Sequence, residues 1–367
     1  MEHPNYLTDQ LITYIGNKRA LLEFIGTGLA QVQAGLGKEK LVIADLFSGS
    51  GATARYFKGH AEALYVNDLE PYAETLSRCY LMNREDFDPR ELERHFRALT
   101  ARLEGGEVLP GFIAELYAPK EDGAIRPGER VFYTVRNAQY LDTARQLLEQ
   151  VPQPYRTLLL GPLLAQASVH TNTSGVFKGF YKNSRTGLGQ FGGNGRHALN
   201  RILADIRLEL PVLSDRSCPV HVCRQDANAL AKTLPPVDLA YLDPPYNQHP
   251  YGSNYFMLNL LNEYQAPEAV SRVSGIPADW NKSAYNRKST AADTLAALCR
   301  DLKAKYLLIS FSDDGFISRE EMVAMLAPLG EVTVMEQPYN TFRGSRNLRA
   351  REIHVKEILY LVKKFGG

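Results

Sequence analysis

The chain has 367 residues, 44% hydrophobic and 23% charged, and its 42 Lys and Arg against 41 Asp and Glu leave a net charge of +1. That composition is ordinary for a soluble globular protein, the length exceeds one simple core, and the charge balance requires that any nucleic-acid surface come from local segregation of charge. No apolar run approaches the ~20 residues that cross a bilayer, and Glu2 and Asp9 stand where a secretory leader would be basic and then apolar, so a cytoplasmic protein without membrane contact is expected.

Cys79, Cys218, Cys223 and Cys299 are too few and too scattered for a disulfide framework. Cys218, His221 and Cys223 are metal-ligand types, but a strand points successive residues to opposite faces, and no metal is expected there.

Taken from the N-terminus, residues 13–19 (Thr-Tyr-Ile-Gly-Asn-Lys-Arg) place a glycine turn ahead of a helical segment at 20–25. Backbone N–H groups and the positive end of a helix dipole suit an anion such as a carboxylate, although an ordinary capped turn reads the same way. Residues 40–52 read as strand, glycine loop and helix. The strand ends at Asp45, and Gly49 and Gly51 allow a ligand close to the backbone. The loop has no Gly-Lys-Ser/Thr ending, so it is not a nucleotide P-loop; a dinucleotide-binding loop is the competing reading. A second strand, 63–67, ends in Asp68, before a helix that starts at Glu70-Pro71-Tyr72-Ala73. An acid at this point of an open sheet can accept ribose hydroxyls. Asp68 is preferred to Glu70, whose carboxylate capping and the helix dipole would explain.

Between Asn83 and Arg196 the α/β rhythm is lost. Residues 131–135 (Val-Phe-Tyr-Thr-Val) suggest a short strand and 138–150 a helix. No Asp or Glu occurs from Val151 to Leu203, whereas Arg156, Lys178, Lys182, Arg185, Arg196 and Arg201 do, with Phe177, Phe180, Tyr181 and Phe191 among them. A solvated basic face would look similar, but exclusion of acids over such a length argues for contact with phosphates.

The sheet resumes at residues 220–223, followed by Asp226, and a buried strand at 237–242 runs into Asp243-Pro244-Pro245-Tyr246. Two prolines fix two φ angles and remove two N–H donors. The loop is therefore a rigid acceptor at a strand's carboxyl end, beside an aromatic plate. An exocyclic amino group on a planar ring fits it: Asp243 takes one N–H, the Pro244 carbonyl takes the other and Tyr246 stacks on the ring. Residues 247–256 have the composition of a loop that closes over a base, or of a plain turn, and a helix follows at 257–264. Residues 275–290, with Trp280, Lys282, Tyr285, Arg287 and Lys288, read as a second DNA-facing loop. A strand at 306–312, an acid-free stretch with Arg343, Arg346, Arg349 and Arg351, and a terminal strand at 355–362 complete the chain.

Asp-Pro-Pro-Tyr after a buried strand, downstream of a Gly-x-Gly loop, resembles the D12 class of N6-adenine DNA methyltransferases, and the resemblance runs from Tyr14 to Lys364. It implies a Rossmann-like α/β fold, with a mostly parallel sheet flanked by helices. Residues 1–83 and 197–367 would form the catalytic domain, and 84–196 an inserted target-recognition region. It implies S-adenosyl-L-methionine as cofactor, held by Tyr14, Ile15, Gly16, Asn17, Asp45, Phe47, Ser48, Gly49, Gly51, Asp68, Asp226 and Asp243, with Asp226 on the adenine amino group. Lys18 would lie near the catalytic acid and the target base, making the catalytic set Asp243, Pro244, Pro245, Tyr246 and Lys18. Double-stranded DNA is the implied partner, met by Lys178, Lys182, Arg185, Arg196, Arg343 and Arg346; a cognate restriction endonuclease stays open as a second partner. Transfer would be direct, to a base turned out of the duplex at a cost of a few kcal/mol. An RNA or protein amino-group methyltransferase, an N4-cytosine enzyme and a catalytically silent DNA-binding module are the alternatives.

Overall fold

The computed structural model describes residues 3–340 and 354–366. Among the described residues seven strands form one sheet: β1 (Leu41–Asp45), β2 (Ala61–Asp68), β3 (Val220–Arg224), β4 (Val237–Leu242), β5 (Ala304–Ser312), β6 (Gly330–Asn340) and β7 (His354–Lys364). Their spatial order is β3-β2-β1-β4-β5-β7-β6. The first five run parallel, and β7 pairs antiparallel with both β5 and β6. β6 had no expected counterpart, although Val332 and Val334 alternate with polar residues as a half-covered strand should.

The helices are α1 (Asn5–Thr8), α2 (Leu22–Leu36), α3 (Ala52–Lys58), α4 (Pro71–Tyr80), α5 (Pro89–Glu104), α6 (Phe112–Tyr117), α7 (Val135–Leu148), α8 (Tyr155–Val169), α9 (Leu199–Leu203), α10 (Ala227–Thr233), α11 (Tyr251–Asn254), α12 (Phe256–Glu263), α13 (Lys288–Asp301) and α14 (Arg319–Leu326). On one face of the sheet, Phe24, Ile25 and Leu29 of α2 and Phe57 of α3 bury Leu41, Tyr241, Leu308 and Leu359. On the other, Leu230 of α10, Leu295 of α13 and Met322 of α14 cover Ala240, Leu307 and Tyr360. Helices on both faces explain why β4 is buried at every position. Its one acid, Asp238, is held by Lys38 and Lys305 at 2.9 Å each and by the Val42 N–H at 3.0 Å.

Within residues 84–196, α5 to α8 occupy the part up to Val169, and turns and loops the rest. Asp88 caps α5 by accepting from the Arg90 N–H at 2.8 Å, with Pro89 at the first helical position. Leu92, Leu99, Leu147 and Leu163 from this region share one apolar cluster with Tyr72 of α4 and Phe256 of α12. The strand expected at 131–135 does not form. Val131, Phe132 and Tyr133 are buried, but the Phe132 N–H donates to the Tyr117 carbonyl and its own carbonyl accepts from the Asn172 N–H. Its bulky residues mark burial between helices, where no strand edge lies beside them. Among the described residues no helix is long and apolar enough to cross a membrane.

Candidate active site

The order of the sheet reverses at β1, which has β2 on one side and β4 on the other, and open α/β sheets hold ligands beyond the strand ends at such a point. An open cavity lies there, bordered by Tyr14, Phe47, Asp68, Glu70, Asp226 and Asp243 among others. Acids and aromatic residues from five separate stretches of chain thus meet in one space.

The glycine loop forms part of the wall behind it. The Ser48 N–H donates to the Asn67 carbonyl at 3.0 Å, and the Gly51 N–H closes a turn on Ser48 at 2.8 Å. Gly49 and Gly51 have φ of +51° and +76°, which glycine adopts without steric penalty. At Gly49 there is also no space, since a Cβ would sit 2.6 Å from the Tyr14 hydroxyl. The Tyr14 ring stacks on Tyr255 at 4.9 Å and on Tyr251 at 5.0 Å. These tyrosines also set the turn that follows: the Ile15 N–H donates to the Tyr255 hydroxyl at 2.8 Å, and the Tyr251 hydroxyl donates to the Ile15 carbonyl at 3.2 Å. Asn17 then caps the short 3₁₀ turn Lys18–Leu21 by accepting from the Arg19 N–H. Of these residues Tyr14 borders the cavity, while Ile15, Gly16, Asn17, Ser48, Gly49 and Gly51 shape the backbone around it.

Each acid has its own environment. Asp45 is fully buried, and neither of its oxygens meets a hydrogen-bond partner at normal geometry among the described residues, although the Phe47 N–H faces it. Burial, then the field of Asp243, raises its pKa well above the ordinary carboxylate range. Asp68 is engaged by backbone: Oδ2 accepts from the Gly49 N–H at 2.7 Å and Oδ1 from the Glu70 N–H at 2.9 Å. It ties the glycine loop to the start of α4. Glu70 precedes α4 without capping it. Its carboxylate turns instead to the cavity, where Oε2 accepts from Asn259 Nδ2 at 2.6 Å and Asn281 Nδ2 at 3.3 Å. Burial outweighs these bonds and raises its pKa to about 7. The capping expected of Glu70 is therefore absent: the Tyr72 N–H goes to Asn259 Oδ1 at 3.2 Å and the Ala73 N–H to the Glu70 carbonyl at 3.1 Å. Asp226 caps α10 through the Ala229 N–H at 3.0 Å and borders the same cavity. Near it the rings of Phe47 and Tyr285 meet edge to face at 5.2 Å.

At the end of β4, Asp243 is 18% exposed and Lys18 4% exposed, with Lys18 Nζ 3.1 Å from Asp243 Oδ1. The same ammonium lies 2.8 Å from Glu357 Oε1 on β7. Burial alone would lower the Lys18 pKa, but Asp243 and Glu357 hold it well above its ordinary value. Burial raises Asp243 to about 7, Lys18 opposing and Glu357 reinforcing the rise. Pro245 borders the cavity, and Tyr246 is positioned by the Phe311 ring at 5.9 Å and by the Phe316 N–H, which donates to its carbonyl at 2.9 Å.

The cations of the acid-free stretch divide into two groups. Arg156 pairs with Glu149 at 2.9 Å, and Arg201 donates to the Thr173 carbonyl at 3.2 Å. Lys178, Lys182, Arg185 and Arg196 are exposed and make no ion pair among the described residues. They sit on a loop that Asn172 organises, its Nδ2 donating to Val131 and Gln190 carbonyls and its Oδ1 accepting from the Gly192 N–H. The Phe177 N–H donates to the Asn254 carbonyl at 2.7 Å, which ties this loop to α11, just after Tyr246. Arg343 and Arg346 lie outside the described residues. Among the described residues no three His, Cys, Asp or Glu are grouped as metal ligands, and His221 stacks on Tyr65 at 4.6 Å.

Comparison with known proteins agrees with this geometry. The sequence profile of the D12 class N6 adenine-specific DNA methyltransferases matches residues 14–325. The chain belongs to this family. The type II methyltransferase M.NlaIII of Neisseria lactamica is 27% identical over 96% of this chain and 99% of its own length. The type II methyltransferase M.CviAII of Paramecium bursaria Chlorella virus 1 is 27% identical over 96% and 98%. The modification methylase LlaI of Lactococcus lactis subsp. lactis is 26% identical over 96% of this chain and 55% of its length. As a D12 methyltransferase the protein acts on DNA adenine, and the family's methyl donor is S-adenosylmethionine.

Some parts of this D12 methyltransferase's site escaped sequence reasoning. Asn281, Ser283, Tyr285 and Asn286 border the cavity, although their segment had read as DNA-facing. Residues 251–254, read as a loop, form α11 with Gly252, Ser253 and Asn254 buried. Glu357 gave one usable signal, the single acid of β7, standing just ahead of its apolar run 358–362.

Proposed function

We propose that this D12 methyltransferase methylates N6 of a flipped adenine at a specific site in double-stranded DNA, as the modification half of a restriction-modification system in the cytoplasm. The supporting observation is that Asp243 borders the cavity while Lys18 occupies only its Oδ1. The second oxygen of Asp243 and the Pro244 carbonyl then form a fixed pair of acceptors for the two amino protons. Adenine N6 is a weak nucleophile because its lone pair is shared with the ring. Holding both protons draws it toward a tetrahedral shape, and Tyr246 supplies the stacking face.

The donor set suits S-adenosylmethionine. Asp68 and Glu70 face the cavity near the start of α4, as ribose hydroxyls require. Asp226 with Phe47 and Tyr285 offers an aromatic slot and an acceptor for a purine amine. When bound, the cofactor supplies a methyl group already activated by its sulfonium. This chain's part is to align the amine with it and to accept the amine's charge. Lys178, Lys182, Arg185 and Arg196 would hold phosphates beside the opening, with Arg343 and Arg346 as further contacts. The names of the type II and modification relatives support site-specific modification and a cognate endonuclease.

The test is expression in a host free of DNA methylation, with single-molecule sequencing of its DNA and digestion to nucleosides. N6-methyladenine at one recurrent sequence is expected. N4-methylcytosine, or methyl groups found only in RNA, would overturn the assignment.

A further inference from the structure

Lys18 beside the catalytic acid raises a difficulty that Glu357 resolves. As a methyl group leaves a sulfonium, positive charge passes to the accepting nitrogen until a proton departs. A carboxylate neutralised by a lysine would stabilise that charge poorly. The lysine would also compete with the target amine for the same oxygens.

We propose that Glu357 is a positioning residue of the reaction: it holds Lys18 Nζ on one oxygen of Asp243 and restores the negative charge that Lys18 would otherwise cancel. This rests on the methyltransferase reading above. The ammonium lies 2.8 Å from Glu357 Oε1 and 3.1 Å from Asp243 Oδ1. Glu357 is itself fixed by the Ser310 hydroxyl of β5, which donates to Oε1 at 2.5 Å. Both Lys18 and Glu357 are 4% exposed, so neither is drawn away by water. Lys18, Asp243 and Glu357 together carry one net negative charge, and Asp243 Oδ2 has no partner among the described residues. Tyr241 and Tyr246 also face the ammonium, and Asp45 faces Asp243. Glu357 shares its side of β7 with Leu359 and Leu361, which pack in the cluster beneath α2. A carboxylate at this depth is costly unless paired, and its pairing aims at the reacting group.

The experiment compares the full chain with Glu357→Gln, Lys18→Met and the double variant. Its readouts are single-turnover transfer of labelled methyl to plasmid DNA, cofactor affinity by calorimetry, and thermal melting. Glu357→Gln should lower the transfer rate by roughly ten-fold or more with cofactor affinity unchanged. Lys18→Met added to Glu357→Gln should recover rate, because Asp243 alone restores the original net charge. A double variant no faster than Glu357→Gln, or a Glu357→Gln variant as fast as the parent, overturns the proposal. Absence of label in DNA with the unaltered chain would instead overturn the methyltransferase reading, a separate outcome.

Discussion

Replacing Glu70 with Gln should stabilise the protein near pH 8 and leave it nearly unchanged near pH 4. Glu70 is 4% exposed, and burial raises its pKa from 4.5 to about 7 despite the bonds from Asn259 and Asn281. Because the folded-state pKa lies above the unfolded one, the carboxyl's contribution is full below about 4.5 and is lost as pH rises through about 7. At about 1.4 kcal/mol per pKa unit the loss approaches ~3 kcal/mol. Gln cannot ionise, and its carbonyl can take the place of Oε2, the atom that accepts both asparagine bonds. Urea unfolding of both proteins between pH 4.5 and 8.5 checks this. The difference should grow across the interval to about 2–3 kcal/mol in favour of Gln. A difference that stays flat with pH, or a variant less stable at pH 8, would show that the carboxylate is not paying for its burial.

Asp243 acts as an acceptor in its ionised form, and burial holds its pKa at about 7; single-turnover methyl transfer should therefore be full above that value and fall below it, whereas a midpoint near 4 contradicts the environment described for it. Asp68→Ala removes the carboxylate that holds the Gly49 and Glu70 N–H groups and should weaken cofactor binding by roughly ten-fold or more; unchanged affinity in calorimetry counts against the role given to Asp68. Lys178→Ala with Lys182→Ala should weaken binding to duplexes of any sequence and reduce the slope of log affinity against log salt by about 2. An unaltered slope would place DNA on another face.

The parts of the fold that sequence made visible are those that local physics determines. A parallel strand covered on both faces selects apolar residues, so β4, apolar at five of its six positions, could be recognised, and the prolines after it mark its end. Gly49 and Gly51 announced a loop because glycine alone takes up such left-handed dihedrals at no steric cost. What stayed hidden depends on contacts between distant segments. Val131, Phe132 and Tyr133 look like a strand because burial between helices selects the same residue types as a sheet. Glu70 looked like a helix-capping acid, since nothing local discloses that Asn259 takes the Tyr72 N–H and that Asn259 and Asn281 approach the Glu70 carboxylate. The partnership of Lys18 with Glu357 joins residues 339 positions apart, beyond the reach of any periodicity.

The measurement that bears most directly on the chemistry is made on Asp243→Ala, with cofactor binding and methyl transfer to plasmid DNA followed in the same preparation. The account predicts that the variant still binds S-adenosylmethionine and yields no N6-methyladenine in nucleoside digests. Transfer at the parental rate would mean that the fixed acceptor beyond β4 is not what makes the amine reactive.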